Sequence, residues 1–138
     1  MLEKYALWKV LDVLISNKNE FSVREMSRAA KIGPSTSKAC LDYLFDENII
    51  NKKVIGNVYQ YSLNLKNPAA RNIKNTYLIR KIIGLKADSK IFLCSDEKET
   101  VIFTIGEKIT LPGIETRQTT EDKFERLRKD YLDIITIQ

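Results

Sequence analysis

The segment KIGPSTSKACLDYLFDENIINKKVIGNVYQY, Lys31 to Tyr61, contains a Gly-Pro step, a helical apolar repeat, a lysine pair and a Gly-Asn turn. Proline at position 34 suits the first turn of a helix because its missing N–H needs no partner there. Apolar residues then recur at the helical period, and they are Cys40, Leu41, Leu44 and Phe45. The segment predicts a helix over Pro34 to Asp46 with these four residues on its core face.

A β-hairpin is predicted directly after this helix. Ile49 to Ile55 and Val58 to Leu63 are rich in β-branched and aromatic residues, and Gly56-Asn57 joins them. Two such runs separated by a two-residue glycine-containing turn are typical of antiparallel strands. On a strand, the consecutive residues Lys52 and Lys53 point to opposite faces.

Two helices are predicted before the segment. The first carries an apolar stripe that ends at a polar loop, and its members are Tyr5, Leu7, Trp8, Leu11, Leu14 and Ile15. Ser22 followed by Glu25 is a capping box, which predicts a second, short helix over Val23 to Ala30.

The order helix, capped helix, glycine turn, helix and tight hairpin is that of a winged helix-turn-helix. Ser22 to Leu63 resembles the winged-helix family of archaeal and bacterial transcription regulators, most specifically in KIGPSTSKACLDYL, NII and GNVYQYSL. The resemblance covers the N-terminal half of the chain. It implies double-stranded DNA as partner, transcription regulation as function and a homodimer as the binding species. The candidate dimer surfaces are the first helix and the predicted bridging helix over 67–85.

The candidate DNA-binding residues follow from where a helix and a hairpin meet a duplex. The N-terminal side chains of a helix in the major groove reach base edges, while its opposite face stays packed. The predicted contacts are Arg24, Arg28, Ser35, Thr36, Lys38, Ala39, Lys52, Lys53 and Asn57. Each also has a simpler interpretation as a solvated surface residue, or as a turn residue for Asn57. Asp42 departs from the pattern because a carboxylate facing phosphates costs affinity unless it accepts from cytosine or pairs with a cation.

Charge and composition favour a polyanionic partner only mildly. The chain of 138 residues has 23 Lys and Arg against 18 Asp and Glu, a formal net charge of +5. No acidic residue lies between Asn67 and Leu85, where Arg71, Lys74, Arg80 and Lys81 either extend a DNA-facing surface or form a solvated basic face.

Several classes of chemistry are disfavoured by the residues present. Histidine is absent, which removes Ser-His-Asp and Cys-His nucleophiles and the commonest zinc ligand. Cys40 and Cys94 lack metal-ligand spacing and read as buried free thiols in a reducing compartment. We therefore predict no enzymatic activity, no metal and no cofactor. The charged positions within Met1 to Ile15 argue against a signal peptide or membrane span, so we expect a cytoplasmic protein without a membrane partner.

The C-terminal half is predicted as helix, three strands, helix and strand. Asn67 and Pro68 open a helix to about Ile83, and Thr119 caps a later one. The predicted strands are Lys90 to Ser95, Thr100 to Ile105, Lys108 to Leu111 and Leu132 to Ile137. The expected fold class is α+β, with a winged helix-turn-helix in 1–66, a bridging helix in 67–85 and a small mixed-sheet module in 86–138.

Two alternatives to a regulator remain open. The element order of the C-terminal half is similar to restriction-endonuclease-like nucleases, but the expected strand Asp and Glu-x-Lys are missing, and only Glu107-Lys108 stands near the third predicted strand. The second alternative is a protein-interaction adaptor that binds no DNA. For the C-terminal module itself, a ligand sensor, a dimerisation surface and a protein-partner site are all compatible with the sequence.

Overall fold

The computed structural model describes residues 2–17, 19–85, 88–111 and 113–138, with side chains from Tyr5 onward. The described residues form a mixed α+β protein with five α-helices, one 3-10 helix and two β-sheets. The chain divides into two compact units, Met1–Ala70 and Arg71–Gln138. Among the described residues, no helix combines the length and apolar character needed to cross a bilayer.

The N-terminal unit consists of three helices followed by a two-stranded sheet. The elements are α1 (Leu2–Ser16), α2 (Val23–Ala30), α3 (Pro34–Asp46), β1 (Ile50–Ile55) and β2 (Val58–Leu63). The predicted bounds of α2, α3 and β2 are confirmed. The capping box is also confirmed, since Ser22 Oγ accepts a 3.1 Å hydrogen bond from the backbone N–H of Glu25 and Glu25 Oε1 accepts one from that of Ser22.

The buried stripe of α1 differs from the predicted one. Tyr5 and Trp8 are 64% and 53% exposed, whereas the buried positions include Ala6 and Val10. Leu11, Leu14 and Ile15 are buried as predicted. The helix therefore turns its small and aliphatic residues toward the core. Tyr5, whose ring centroid lies 4.6 Å from the Lys9 ammonium, and Trp8 remain more than half exposed.

The core face of α3 also departs from the prediction at one position. Cys40, Leu41 and Leu44 are buried, but Phe45 is 42% exposed. Ser37 is fully buried instead and donates a 3.4 Å hydrogen bond from its Oγ to the carbonyl of Val23. A small residue thus occupies the place where α3 meets α2, and the large ring of Phe45 near the end of the helix lies outside the core, beside Lys52.

The hairpin pairs in the register expected from its two-residue turn. Strands β1 and β2 are antiparallel, with Ile50 opposite Leu63 and Ile55 opposite Val58. The other edge of β2 pairs with a single residue before α2, since Phe21 and Tyr61 exchange backbone hydrogen bonds of 2.9 and 2.7 Å. Ile50 and Tyr61 are buried, so the base of the hairpin belongs to the core of this unit.

The C-terminal unit contains a four-stranded mixed sheet in the order β5-β4-β3-β6. Its elements are α4 (Pro68–Ile83, starting in the last residues of the first unit), β3 (Ser89–Ser95), β4 (Thr100–Gly106), β5 (Glu115–Gln118), α5 (Glu121–Leu127), a 3-10 helix (Arg128–Asp130) and β6 (Asp133–Thr136). Strand β4 is parallel to β5, while β3 is antiparallel to β4 and β6. Cys94, Val101, Phe103 and Phe124 form a buried cluster in this unit.

Two local predictions for this unit are wrong. Lys108 to Leu111 is not a strand: Ile109 and Leu111 are buried, but only Leu111 forms an isolated bridge, to Ile114, and the strand beside β4 is β5. Buried and exposed residues therefore alternate from Lys108 to Leu111, as in a strand, although this segment does not pair with the sheet. The later helix is capped by Thr120 rather than Thr119, since Thr120 Oγ1 accepts from the backbone N–H of Lys123.

Arg71 does not belong to an exposed basic face. Its side chain is 7% exposed, and its Nε donates a 2.7 Å hydrogen bond to Asp133 Oδ2 within the C-terminal unit. The charge of this arginine is therefore compensated inside the protein, because burying an unpaired guanidinium would be costly.

Candidate nucleic-acid interface

The leading half of α3 presents small polar side chains to solvent. Ser35, Thr36, Lys38 and Ala39 are exposed, while the opposite side of the helix is anchored by its buried residues. Gly33, the N-cap residue before Pro34, has no side chain. This end of α3 therefore has no large side chain that would keep another molecule away from the backbone.

Lys38 is paired on this exposed face. Its Nζ lies 2.7 Å from Asp42 Oδ2, one helical turn away, and this hydrogen bond and the carboxylate charge raise the pKa of Lys38. The carboxylate that interrupts the predicted pattern thus has a cation as partner. Because the pair has no net charge, the face offers less attraction to phosphate than Lys38 alone would.

The two lysines of β1 lie on opposite faces of the hairpin, as predicted. Lys52 is opposite Tyr61 and Lys53 is opposite Gln60 in the strand register. The Lys52 ammonium lies 4.2 Å from the ring centroid of Tyr59 and 5.3 Å from that of Phe45 on α3. Attraction between a cation and the ring faces holds Lys52 beside α3.

Tyr59 contacts Lys52 and lies near enough to Lys38 to affect its pKa slightly. Its ring contacts Lys52, and the charge interactions that affect the pKa of Lys38 include Tyr59 and Tyr61 after the larger effect of Asp42. Lys38 and Lys52 are therefore brought to one side of the hairpin. Lys53 is not part of this group.

The opposite face of the hairpin meets a carboxylate of α2. Gln60, the partner of Lys53, has its Nε2 3.5 Å from Glu25 Oε1. Hydrogen bonds from Ser22, with smaller effects of Gln60 and Arg28, lower the pKa of Glu25, so this carboxylate is ionised at neutral pH. Arg24 and Arg28 are exposed on α2, one turn apart, and Arg28 lies near Glu25.

The end of the hairpin is apolar, which the sequence reasoning missed. We call Val54, Ile55, Val58 and Tyr59 the apolar tip; their exposed fractions are 64%, 50%, 47% and 49%. Val54 is opposite Tyr59 on one face, and Ile55 is opposite Val58 on the other. The signal was available, because residues that flank a two-residue turn form direct pairs, and here both pairs are apolar.

The turn itself fits its two residues. Gly56 has φ of 61°, and Asn57 is not among the residues with positive φ. Glycine at the first central position is typical of a type II′ turn, which matches the twist of the flanking strands. Asn57 is exposed at the end of the hairpin, beyond the apolar tip.

The C-terminal unit contains a cleft beside α5 and, on β5, an ion pair between Glu115 and Arg117. The cleft measures about 260 Å³ and is bounded by Lys90, Phe92, Ile105 and Phe124 together with carboxylates of α5. Glu107 lies in the loop after β4 and accepts from the backbone N–H of Asp88, whereas Glu115 on β5 is paired with Arg117 at 2.8 Å. In the part of the chain that the structure describes, no three His, Cys, Asp or Glu side chains come together as metal ligands would.

In comparison with known proteins, the chain matches no protein-family model and has no significant sequence match among curated proteins.

Proposed function

We propose that the protein is a sequence-specific DNA-binding transcription regulator. In this proposal the N-terminal unit is a winged helix-turn-helix, α3 is the recognition helix that enters the major groove, and the hairpin β1–β2 is the wing. Arg24 and Arg28 contact the phosphate backbone from α2, Lys53 contacts it from the wing, and Asn57 at the end of the wing reaches the adjacent minor groove.

The observation that supports this proposal best is the two-sided character of α3. The side with Ser37, Cys40 and Leu41 is buried, and the leading residues on the other side are short and exposed. A groove-reading helix needs both properties, because it must be held firmly by its own protein and still approach base edges closely. The backbone pairing of Phe21 with β2 adds support, since it attaches the hairpin beside the helices.

A homodimer belongs to the same proposal. Dimers of such proteins place two recognition helices on the two halves of a palindromic site. Tyr5 and Trp8 on α1 are large, more than half exposed and three residues apart, and the Lys9 ammonium lies over the Tyr5 ring. We propose that a second copy covers this face. For the C-terminal unit we propose a regulatory role, as a site for a ligand or a protein partner.

The test is duplex binding by fluorescence anisotropy over a range of salt concentrations. Duplexes selected by the wild-type protein from a random-sequence pool serve as the probe. We expect Lys53→Ala to weaken binding of all sequences about equally and to lower the salt slope by about one. Lys38→Ala should weaken binding and also change which sequences are preferred.

The matched control is Lys98→Ala, which removes the same charge from an exposed loop of the C-terminal unit. An equal effect of Lys98→Ala and Lys53→Ala would assign the binding to net charge rather than to the proposed surface. Failure of the wild-type protein to select or bind any duplex at low salt would refute the regulator proposal.

A protein-interaction adaptor is the second candidate, and the apolar tip favours it. Exposed aliphatic side chains are unusual at a surface that serves only phosphates, whereas they are common at the core of protein interfaces. An adaptor would bind its partner with little dependence on salt, since apolar burial releases no counterions. Steep salt dependence of duplex binding therefore distinguishes the regulator from the adaptor.

A further inference from the structure

The apolar tip and the lysines behind it have a spatial order that phosphate binding alone does not explain. Both faces of the ribbon are apolar beside the turn, and these side chains are about half exposed or more. Lys52 and Lys53 follow one to three residues further back on β1. Between Glu47 and Asp88 the chain contains no acidic residue. The hairpin is thus apolar at its end, cationic behind it, and free of carboxylates along its length.

A flat partner surface would cover only one face of this ribbon. Val54 and Tyr59 point to one side and Ile55 and Val58 to the other. Removing both pairs from water requires an occupant with two walls. The minor groove of DNA is such a slot, with sugars on both sides, base edges at the bottom and phosphates along its rims.

The dimensions agree with insertion into this slot. Each strand residue advances the chain by about 3.3 Å, so Lys53 lies roughly 10 Å behind Gly56 and Ile55 roughly 3 Å behind it. The minor groove is about 7.5 Å deep. When the Gly56-Asn57 turn reaches the base edges, Ile55 and Val58 therefore lie just above them and Lys53 comes to about the level of the phosphates.

An undistorted minor groove is too narrow for the ribbon. Its width is about 6 Å, whereas a β-ribbon with side chains on both faces is about 10 Å thick. Proteins that insert apolar side chains between base steps widen this groove and bend the duplex away from it. Unstacking a base step costs free energy, and burial of the apolar side chains offsets this cost.

We propose that the apolar tip inserts into the minor groove beside the site of α3, parts a base step and bends the DNA. This inference rests on the proposed function and adds a specific role for the hairpin, which is deformation of the duplex in addition to contact with its backbone. Because pyrimidine–purine steps unstack most easily, the bend also makes binding sensitive to the sequence at positions that no side chain reads directly.

The experiment measures bending and binding separately on the same duplex. A duplex of about 30 base pairs, taken from the pool that the wild-type protein selects, carries a donor and an acceptor dye at its two ends. A second copy carries 2-aminopurine at candidate base steps, where unstacking increases its fluorescence. Saturation with the full-length wild-type protein should raise energy transfer and increase the 2-aminopurine signal at one step.

The decisive variant is the triple change Val54→Ser, Ile55→Ser, Val58→Ser. We expect it to abolish both signals and to weaken binding by about tenfold or more, since apolar burial is lost. The salt slope should stay unchanged because the lysines remain. The matched control is Leu132→Ser, which removes an apolar side chain of similar exposure, 61%, from the C-terminal unit and should leave both signals intact.

The conservative triple variant Val54→Ile, Ile55→Val, Val58→Ile should retain the bend, and circular dichroism establishes that each variant is folded. Binding by the wild-type protein without energy transfer or 2-aminopurine change would overturn this inference and leave the proposed function standing. The inference would also be overturned, with the proposed function intact, if the serine variant bends DNA as well as the wild type does. A serine variant that bends DNA normally but no longer binds anionic vesicles or a protein partner would assign the apolar tip to that other surface. Absence of any duplex binding would overturn the proposed function and this inference with it.

Discussion

At the scale of single residues, the charge of the outward face of α3 is set by Lys38 and Asp42. The two side chains are exposed or half-buried and joined at 2.7 Å, so their attraction to each other is screened by water and modest in energy. The pair has a larger effect on the binding of a polyanion, because the Asp42 carboxylate cancels the positive charge that Lys38 would offer. The pair therefore has more importance for binding than for stability.

Replacing Asp42 by Asn should strengthen DNA binding. The change frees the Lys38 ammonium and removes a charge that repels phosphate, so we expect affinity to rise about two- to fivefold and the salt slope to increase by about one. Anisotropy titrations at several salt concentrations measure both. The matched control is Asp46→Asn, which removes an exposed carboxylate one turn further along α3. An equal gain from the control would contradict a specific role for the Lys38–Asp42 pair.

Cys94 is predicted to make stability fall at high pH. Burial raises the pKa of its thiol to about 11, and nearby Arg128 opposes this only in part. In the unfolded chain a cysteine loses its proton near pH 8.5. The unfolded state thus binds fewer protons than the folded state between about pH 8.5 and 11, and stability declines as pH rises through that window.

Urea unfolding of the wild type and of Cys94→Ala at pH 7.5 and 10 measures this effect. The alanine variant should be less stable at both values because a buried side chain is shortened, but the gap between the two proteins should narrow at pH 10. A gap that is the same at both pH values would show that the folded thiol ionises as easily as the unfolded one.

At the scale of elements, the start of α2 depends on two reciprocal hydrogen bonds between Ser22 and Glu25. Short helices need such caps because their first N–H groups have no partner within the helix. Ser22→Ala should therefore destabilise the protein by about 1 kcal/mol, measured by urea unfolding at neutral pH. Ser22→Thr, which keeps the hydroxyl acceptor, serves as the control and should lose much less. Equal losses in the two variants would exclude the cap as the cause.

The capping box of Ser22 and Glu25 also predicts that the stability of the protein falls at acidic pH. Hydrogen bonds from Ser22 lower the pKa of Glu25, so its stabilisation is present above the unfolded value near 4.3 and is lost as pH falls through the folded value. Glu25→Gln should remove this part of the pH dependence. The measurement is the urea midpoint of unfolding of the wild type and of Glu25→Gln at several pH values between 6 and 3. If the two midpoints fall in parallel with pH, Glu25 does not contribute to the acid dependence.

At the scale of the whole molecule, self-association can be followed through the single tryptophan. Trp8 lies on the aromatic face of α1 and is 53% exposed. If this face forms the homodimer, the emission of Trp8 should shift to shorter wavelength as protein concentration rises, in step with the mass from sedimentation equilibrium. The Trp8→Ser variant has no tryptophan emission, so its mass is followed by sedimentation equilibrium alone. We expect this variant to remain monomeric. Dimerisation of Trp8→Ser with wild-type strength would move the interface elsewhere.

The sequence by itself determined the elements that local chemistry specifies. Caps at Ser22 and Asn67, prolines at the first turns and the Gly56-Asn57 turn act over a few residues, so the bounds of α2, α3, α4 and β2 could be read along the chain. The mixed α+β class followed from their order. The DNA-contact residues of the site remain predictions, although the exposure of most of them followed from the same periodicity.

Only the tertiary structure decided which residues become partners. It placed Glu115–Gln118, not Lys108 to Leu111, beside β4, and it buried Arg71 against Asp133. It also left Phe45 outside the core, next to Lys52. Pairing and burial depend on groups that are distant in the chain and are brought close only when the core forms. A local pattern can therefore indicate a strand or an amphipathic helix without specifying the surface that each will meet.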